Sequence, residues 1–261
     1  MTTLLPPGPV GGTRPVVVAH RGNSSVAPQN TLVALEAAWR AGADAVEIDI
    51  QLSADGEIVV IHDDTVDATT SGTGRVADLS LAGLRELDAG SWFSRHYAGQ
   101  QVPTLGEVLG FLESRPGTDL LLELKDEWSA ADAARVTGAI DAARLGDRVV
   151  VQSFHPSTVA ALRDVAPHLP RGLLVWEGHP GAVALVDELG VACCNPSVGL
   201  ARSTGLVADL HAQGLRVMVW TADEPEEWAA LEALGVDAII TDRPDRLSGW
   251  LAGRPAAHPA T

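Results

Sequence analysis

Three pairs of ionisable residues mark the ends of apolar runs in this 261-residue sequence. His20-Arg21 closes the run VVVA, Glu47 and Asp49 alternate within AVEIDI, and Glu123 and Lys125 alternate at the end of LLLELK. Residues two apart on a strand face the same way, so Glu47 projects with Asp49 and Glu123 with Lys125. Adjacent carboxylates repel unless positive charge lies between them. Glu47, Asp49 and Glu123 offer oxygen ligands only, which suits one hard divalent cation, Mg²⁺ or Ca²⁺. A salt-bridge cluster with Arg21 and Lys125 is the competing reading. Lys125 is the only lysine in the sequence. Its compact ammonium can contact phosphate oxygens without a planar fork. His20 and His62 titrate near neutrality, so one ring can act as base and the other as acid. Trp220, closing LRVMVW, reads as a wall for a small apolar substrate surface. The remaining histidines, His96, His155, His168, His179, His211 and His258, are expected on loops or surfaces.

The elements that must position these groups alternate along the chain. Strands are expected at Val16–Ala19, Ala45–Ile50, Asp119–Leu124, Val149–Gln152, Gly172–Val175, Val191–Cys194, Leu215–Trp220 and Asp237–Ile240. Most are apolar on both faces, as buried parallel strands are. Helical patterns lie between them, at Thr31–Ala41, Leu105–Leu112, Ala130–Ala143, Ser157–Val165, Gly181–Leu189, Thr204–Gln213, Glu224–Leu234 and Arg243–Leu251. Asn30 and Ser129 are candidate N-caps. Eight strand–helix units predict an α/β fold, a (β/α)8 TIM barrel; a doubly wound sheet is the alternative. The polar pairs then fall at the carboxyl ends of strands, where barrel enzymes build their sites. One unit departs from the alternation. SADG is followed at once by EIVVIHDD, too close for a helix, and Asp55-Gly56 signals a turn. A β-hairpin after the second strand would bring His62 to the level of Glu47. The segment 63–103 reads as a small insertion over the active face, with Trp92, Phe93 and Tyr97 near its end. The barrel domain is expected over 15–252, with flexible tails at 1–14 and 253–261.

Composition narrows the function. Eighteen basic against 34 acidic residues give a formal charge of −16. Such a surface repels nucleic acid and anionic lipid, so neither nucleic-acid binding nor stable membrane association is expected. Positive charge for an anionic substrate must be local. Cys193 and Cys194 are adjacent and form no disulfide framework. No secretory signal or membrane-spanning run is read, which points to the cytoplasm. Oligomeric state is not encoded in any pattern we find.

The sequence resembles the glycerophosphodiester phosphodiesterase family. The matching motifs are AHRG at Ala19–Gly22, PQNT at Pro28–Thr31, GADAVEIDI at Gly42–Ile50 and SADGEIVVIHDD at Ser53–Asp64. They continue through TTSGTG, VPTLGEVL, LELK, QSF and VMVWT to GVDAIITDRP at Gly235–Pro244. The resemblance implies a (β/α)8 barrel that cleaves glycerophosphodiesters to sn-glycerol 3-phosphate and an alcohol with a divalent cation. It implies His20 and His62 as the acid–base pair, and Glu47, Asp49 and Glu123 as metal ligands. Arg21 and Lys125 would hold phosphate oxygens and Trp220 would face the glycerol, with Gly22 letting the chain turn closely past the phosphate. Two positions depart from the family pattern. Gln29 replaces a common Glu, with altered loop anchoring expected, and Ala68 replaces a frequent Arg, with substrate preference affected. The rival readings are a phospholipase D-like enzyme acting on lysophospholipids or sphingomyelin beneath a Trp92, Phe93, Tyr97 lid, and a non-catalytic phosphodiester-binding barrel.

Overall fold

Buried on both faces, the apolar runs of the sequence become the staves of a closed barrel. In chain order the strands are β1 (Val16–Ala19), β2 (Ala45–Leu52), β3 (Ile58–Val60), β4 (Asp119–Leu124), β5 (Val149–Ser153), β6 (Arg171–Val175), β7 (Cys193–Pro196), β8 (Arg216–Val219) and β9 (Ala238–Thr241). The order β1-β9-β8-β7-β6-β5-β4-β2 closes through β1–β2, all pairs parallel. This computed structural model describes residues 2–5, 10–11, 14–177, 180–203 and 205–253. The expected (β/α)8 barrel is the observed fold.

Helices α1 (Leu32–Arg40), α2 (Leu81–Arg85), α3 (Leu105–Glu113), α4 (Ala130–Ala142), α5 (Pro156–Val165), α6 (Val186–Leu189), α7 (Val198–Ser203), α8 (Leu206–Ala212), α9 (Pro225–Leu234) and α10 (Pro244–Ala252) follow in order. Ser129 caps α4 as expected, accepting from the Asp132 amide. Asn30 does not cap α1; Thr31 does, accepting from the Ala34 amide. Asn30 is released to bond into the site. The expected helix at Gly181–Leu189 splits into a 3₁₀ turn (Pro180–Leu185) and α6, and α7 adds a turn before α8. Strand β7 begins two residues later than expected. Val191 is still tied to the helix through Val186, and the ladder with β6 starts at Cys193.

The hairpin exists because β1 stops early. It pairs only with Ala45 and Val46 of β2, leaving the upper edge of β2 open. β3 takes that edge antiparallel, with Ile50 opposite Val60. Gly56, at φ +77°, makes the turn, a conformation that favours glycine. Continuing the register sets His62 beside Ile48, one residue from the expected Glu47 level. The insertion that follows has its own apolar centre, including Val59, Val66, Val76, Leu84 and Val102. Its ends are clasped by Val60 N donating to Pro103 O at 2.8 Å and by a bridge between Val59 and Thr104. Tyr97 donates to the Val26 carbonyl at 2.7 Å, fastening the insertion to the loop after β1.

Two further apolar layers fill the barrel itself. The larger lies between strands and helices. The smaller lies inside the barrel and contains Val18, Leu121, Val150, Met218 and Ile240, with Leu4 among them. The expected tail of 1–14 is therefore corrected at its start. Leu4 is wholly buried, worth roughly 1.5–3 kcal/mol for such a side chain, and Thr2 Oγ1 donates to Asp119 Oδ2 at 2.8 Å. The expected tail beyond Gly253 lies outside the described residues. No helix among the described residues is long and apolar enough to cross a membrane.

Candidate active site

The end of β1 sets the geometry of the mouth. His20 continues the ladder, its amide donating to Thr241 O at 2.9 Å. Arg21 then takes a left-handed φ of +57°, uncommon for a side-chain-bearing residue. That bend turns its amide onto Glu47 Oε2 at 3.0 Å. Gly22 completes the turn, and a Cβ there would lie 2.5 Å from the Ala34 carbonyl carbon. Gly22 thus serves a close approach to the backbone of α1.

Glu47 and Asp49 share a face as their spacing predicts, and the β2–β4 register, Asp49 opposite Glu123, brings Glu123 to them. They are 2%, 0% and 7% exposed, and one oxygen from each lies within 4.8 Å of the others. Asp49 Oδ2 accepts from Asn30 Nδ2 at 2.8 Å and lies 3.2 Å from Arg21 Nε. Lys125 Nζ lies 2.9 Å from Glu123 Oε1 and 3.9 Å from Asp49 Oδ1. Neither oxygen has an aligned hydrogen-bond donor among the described residues, despite the short Lys125 distance. The salt-bridge reading is thus partly realised but leaves buried oxygens over.

The charges follow from burial. Burial pushes Glu47 well above the usual carboxylate range, and the Asp49 and Glu123 charges add to it. Burial also lifts Glu123 to about 7, with Asp49 adding and Lys125 opposing. Burial acts on Asp49 in the same sense, but Arg21, His62 and Lys125 outweigh it and hold that carboxyl low. Burial acts to lower Lys125, and the Glu123 and Asp49 charges reverse this and raise it. One ionised acid beside two reluctant ones is a site short of positive charge. All-oxygen donors, burial and unaligned oxygens fit a hard divalent cation.

Both histidines line the inner cavity, each paired through Nδ1 with a carboxylate. His20 Nδ1 lies 2.7 Å from Asp242 Oδ1, which also accepts from Ser24 Oγ at 2.8 Å. His62 Nδ1 lies 2.6 Å from Asp63 Oδ1. Burial lowers the His62 pKa, the Asp49 charge opposing it. Gln51 steadies this loop, its Nε2 within 3.2 Å of the carbonyls of Ile61, His62 and Asp63. Arg21 Nη1 donates to Gln29 Oε1 at 2.8 Å, so a neutral amide anchors the cation. Trp220 is pinned by its indole N–H to Asn195 O at 2.7 Å.

Two cavities share this mouth. The inner one, about 50 Å³, is lined by His20, Arg21, Glu47, His62, Glu123 and Trp220 among others. The outer one, about 410 Å³, opens beside it past Lys125, Asp126, Phe154, His155, Trp176 and Trp220. The structure therefore brings together every site residue expected from the sequence. It adds Asn30, Gln51, Asp63 and Asp242 as their partners. Of these, Asp242 was visible as an acid at a strand end. His155 stands on the loop between β5 and α5, as expected, and lines the outer cavity, whereas the expectation fails for His211, which lies in α8 and bonds Asp237 at 2.9 Å at the opposite end. His179 and His258 lie outside the described residues.

These are the features of a barrel enzyme built for an anionic substrate. The model of the glycerophosphoryl diester phosphodiesterase family matches residues 20–246. The chain is 35% identical over 238 residues to a glycerophosphodiester phosphodiesterase of Caldanaerobacter subterraneus, covering 89% of this chain and 96% of that one. A solved glycerophosphodiester phosphodiesterase of Agrobacterium tumefaciens is similar at a TM-score of 0.78 and 30% identity, over 90% of this chain and 99% of that one. An Oleispira antarctica phosphodiesterase, solved in complex with the product sn-glycerol-3-phosphate, is similar at 0.81 and 29%, over 92% and 97%. The chain belongs to the glycerophosphoryl diester phosphodiesterase family.

Proposed function

We propose that this enzyme hydrolyses glycerophosphodiesters to sn-glycerol 3-phosphate and an alcohol, with Mg²⁺ or Ca²⁺ held by Glu47, Asp49 and Glu123. The observation that carries the reading is the convergence of two carboxylate-held histidines and three buried acids on one cavity. The cation, when bound, supplies charge neutralisation for the phosphoryl group. Arg21 and Lys125 bind phosphate oxygens and favour the charge that shifts onto them in the transition state. Asp242 and Asp63 accept from Nδ1 of His20 and His62, leaving each Nε2 to exchange a proton at the cavity. One ring takes the proton of the attacking oxygen, whether water or a glycerol hydroxyl beside the phosphate. The other protonates the departing alkoxide. Trp220 walls the glycerol. The free, buried Cys193 and Cys194 suit a reducing, cytoplasmic setting.

The test is release of sn-glycerol 3-phosphate from glycerophosphocholine after chelation, then after Mg²⁺ or Ca²⁺ is restored, with His20→Ala as control. Activity that returns with a cation and is absent from the variant is the expected result. No product with either cation, or a fully active variant, overturns the proposal. Lysophospholipid cleavage is the second reading, carried by Trp92, which the insertion leaves 41% exposed.

A further inference from the structure

The inner cavity has a charged half and an apolar half. His20, Arg21, Glu47, His62 and Glu123 have the protons, the cation and the phosphate to serve. The rest of the lining is Phe154, Leu174, Trp220 and Ile240, with one polar side chain among them, Gln152. Gln152 stands opposite Glu123 in the β4–β5 register and is 1% exposed. Its Oε1 accepts from Asn195 Nδ2 at 2.7 Å. Its Nε2 donates to no group among the described residues, and it is not sealed off as Asn195 Oδ1 is. One end of this amide is held, and the other is left free at the cavity.

The holding has been given room. Gly172 lies beside Gln152 in the β5–β6 register. A Cβ there would stand 2.7 Å from Cys193 Sγ and 3.0 Å from Asn195 Nδ2, so the missing side chain is what lets Asn195 reach across β6. Asn195 is wholly buried, and its Oδ1 has no donor among the described residues. For stability alone, an apolar pair of the same shape would serve as well. A polar pair kept under these conditions points to a task at the cavity. The Asn195 backbone carbonyl also accepts the Trp220 indole N–H, so one residue fixes both the indole and the amide. A carbon chain bearing a hydroxyl suits four apolar walls and one N–H. In the glycerol half, the hydroxyl beside the phosphate stays near the histidines. The terminal hydroxyl is the one left to find a donor.

We propose that Gln152 is a specificity-determining residue, its Nε2, positioned by Asn195, donating to the terminal hydroxyl of the glycerol half; this rests on the phosphodiesterase reading above. The test compares kcat/KM on glycerophosphocholine and on the phosphocholine diester of propane-1,2-diol, which lacks only that hydroxyl. Wild type favours the glycerol diester by about 10²-fold. Gln152→Met, similar in shape but without the N–H, costs the glycerol diester about that factor and the other diester far less. Asn195→Ala keeps the amide but releases it, leaving a preference of about tenfold, and it carries the test if Gln152→Met does not fold. Equal use of the two diesters by wild type, or equal loss on both in Gln152→Met, overturns the proposal. Should neither diester be cleaved, the phosphodiesterase reading fails by itself. Calorimetry with sn-glycerol 3-phosphate and propane-1,2-diol 1-phosphate then decides the role of Gln152. Tighter binding of the glycerol compound that Gln152→Met abolishes supports it; equal affinity, or no binding of either, overturns it.

Discussion

Buried carboxylates stand at both ends of the barrel, and the fold treats them in opposite ways. At the amino end Asp237 accepts from Arg216 Nη1, Val217 N, His211 Nε2 and Gly11 N, all between 2.7 and 3.1 Å. Burial acts to raise it, but these donors, Arg216 foremost, hold its pKa low. At the carboxyl end Glu47 and Glu123 are as deeply placed, yet burial and mutual repulsion push both upward. Residue type and burial are nearly the same. The difference is that one end finishes its hydrogen bonding with the chain's own groups and the other leaves Asp49 Oδ1 and Glu123 Oε1 without an aligned donor among the described residues. Acids that a fold satisfies hold it together, and acids it leaves short are where binding energy is available.

Substitutions at the two ends should separate activity from stability. Glu123→Gln removes a proposed cation ligand, so cation-dependent turnover should fall by about 10²-fold or more, taking a loss of ~3 kcal/mol or more in transition-state stabilisation. Urea unfolding of the same variant in chelator should show no loss above neutral pH, because a strained buried charge has gone. Asp237→Asn should do the reverse. Breaking that network should cost about 3 kcal/mol in urea, with kcat/KM nearly unchanged. A variant that lost both properties together would erase the contrast.

A finer test uses pH. Glu123 is raised from an ordinary 4.5 to about 7, so the folded state holds its proton more tightly than the unfolded chain. In chelator, its contribution is fully present below pH 4.5 and is lost as pH rises to about 7. That loss is worth about 3 kcal/mol. Asp237 is lowered from 3.8, so its contribution is present above pH 3.8 and fails only as pH drops further. Urea midpoints across pH 3 to 8 should therefore dip at both ends of the range. Glu123→Gln should make the neutral side shallower and leave the acid side alone, the raised Glu47 keeping part of the neutral dip.

Much of this was legible beforehand, for identifiable reasons. Period-two spacing put Glu47 with Asp49 and Glu123 with Lys125, and the parallel pairing of β2 with β4, Asp49 opposite Glu123, brought the two pairs together. The hairpin was legible because no helix fits between SADG and EIVV. Asn30 reads locally as an N-cap because the same side chain can bond a helix end or a distant carboxylate; the choice is made by Asp49, nineteen residues on. The Asp242 partner of His20 lies 222 residues away, so only closure of the barrel reveals it. Leu4 gave no pattern at all. Its burial depends on a floor assembled from strands spread over most of the chain.

The clasp at the base of the insertion makes that segment a replaceable part. Chain leaves the hairpin loop after His62-Asp63, which stay with the barrel, and returns at Val102-Pro103, with Val60 bonded to Pro103 and Val59 bridged to Thr104. Whatever lies between those points, the barrel meets the same two ends in the same register. Lengthening such a loop costs only about 0.6 kcal/mol for each doubling. A lineage, or an engineer, could therefore exchange the roof of this enzyme for another while the staves below keep their pairing.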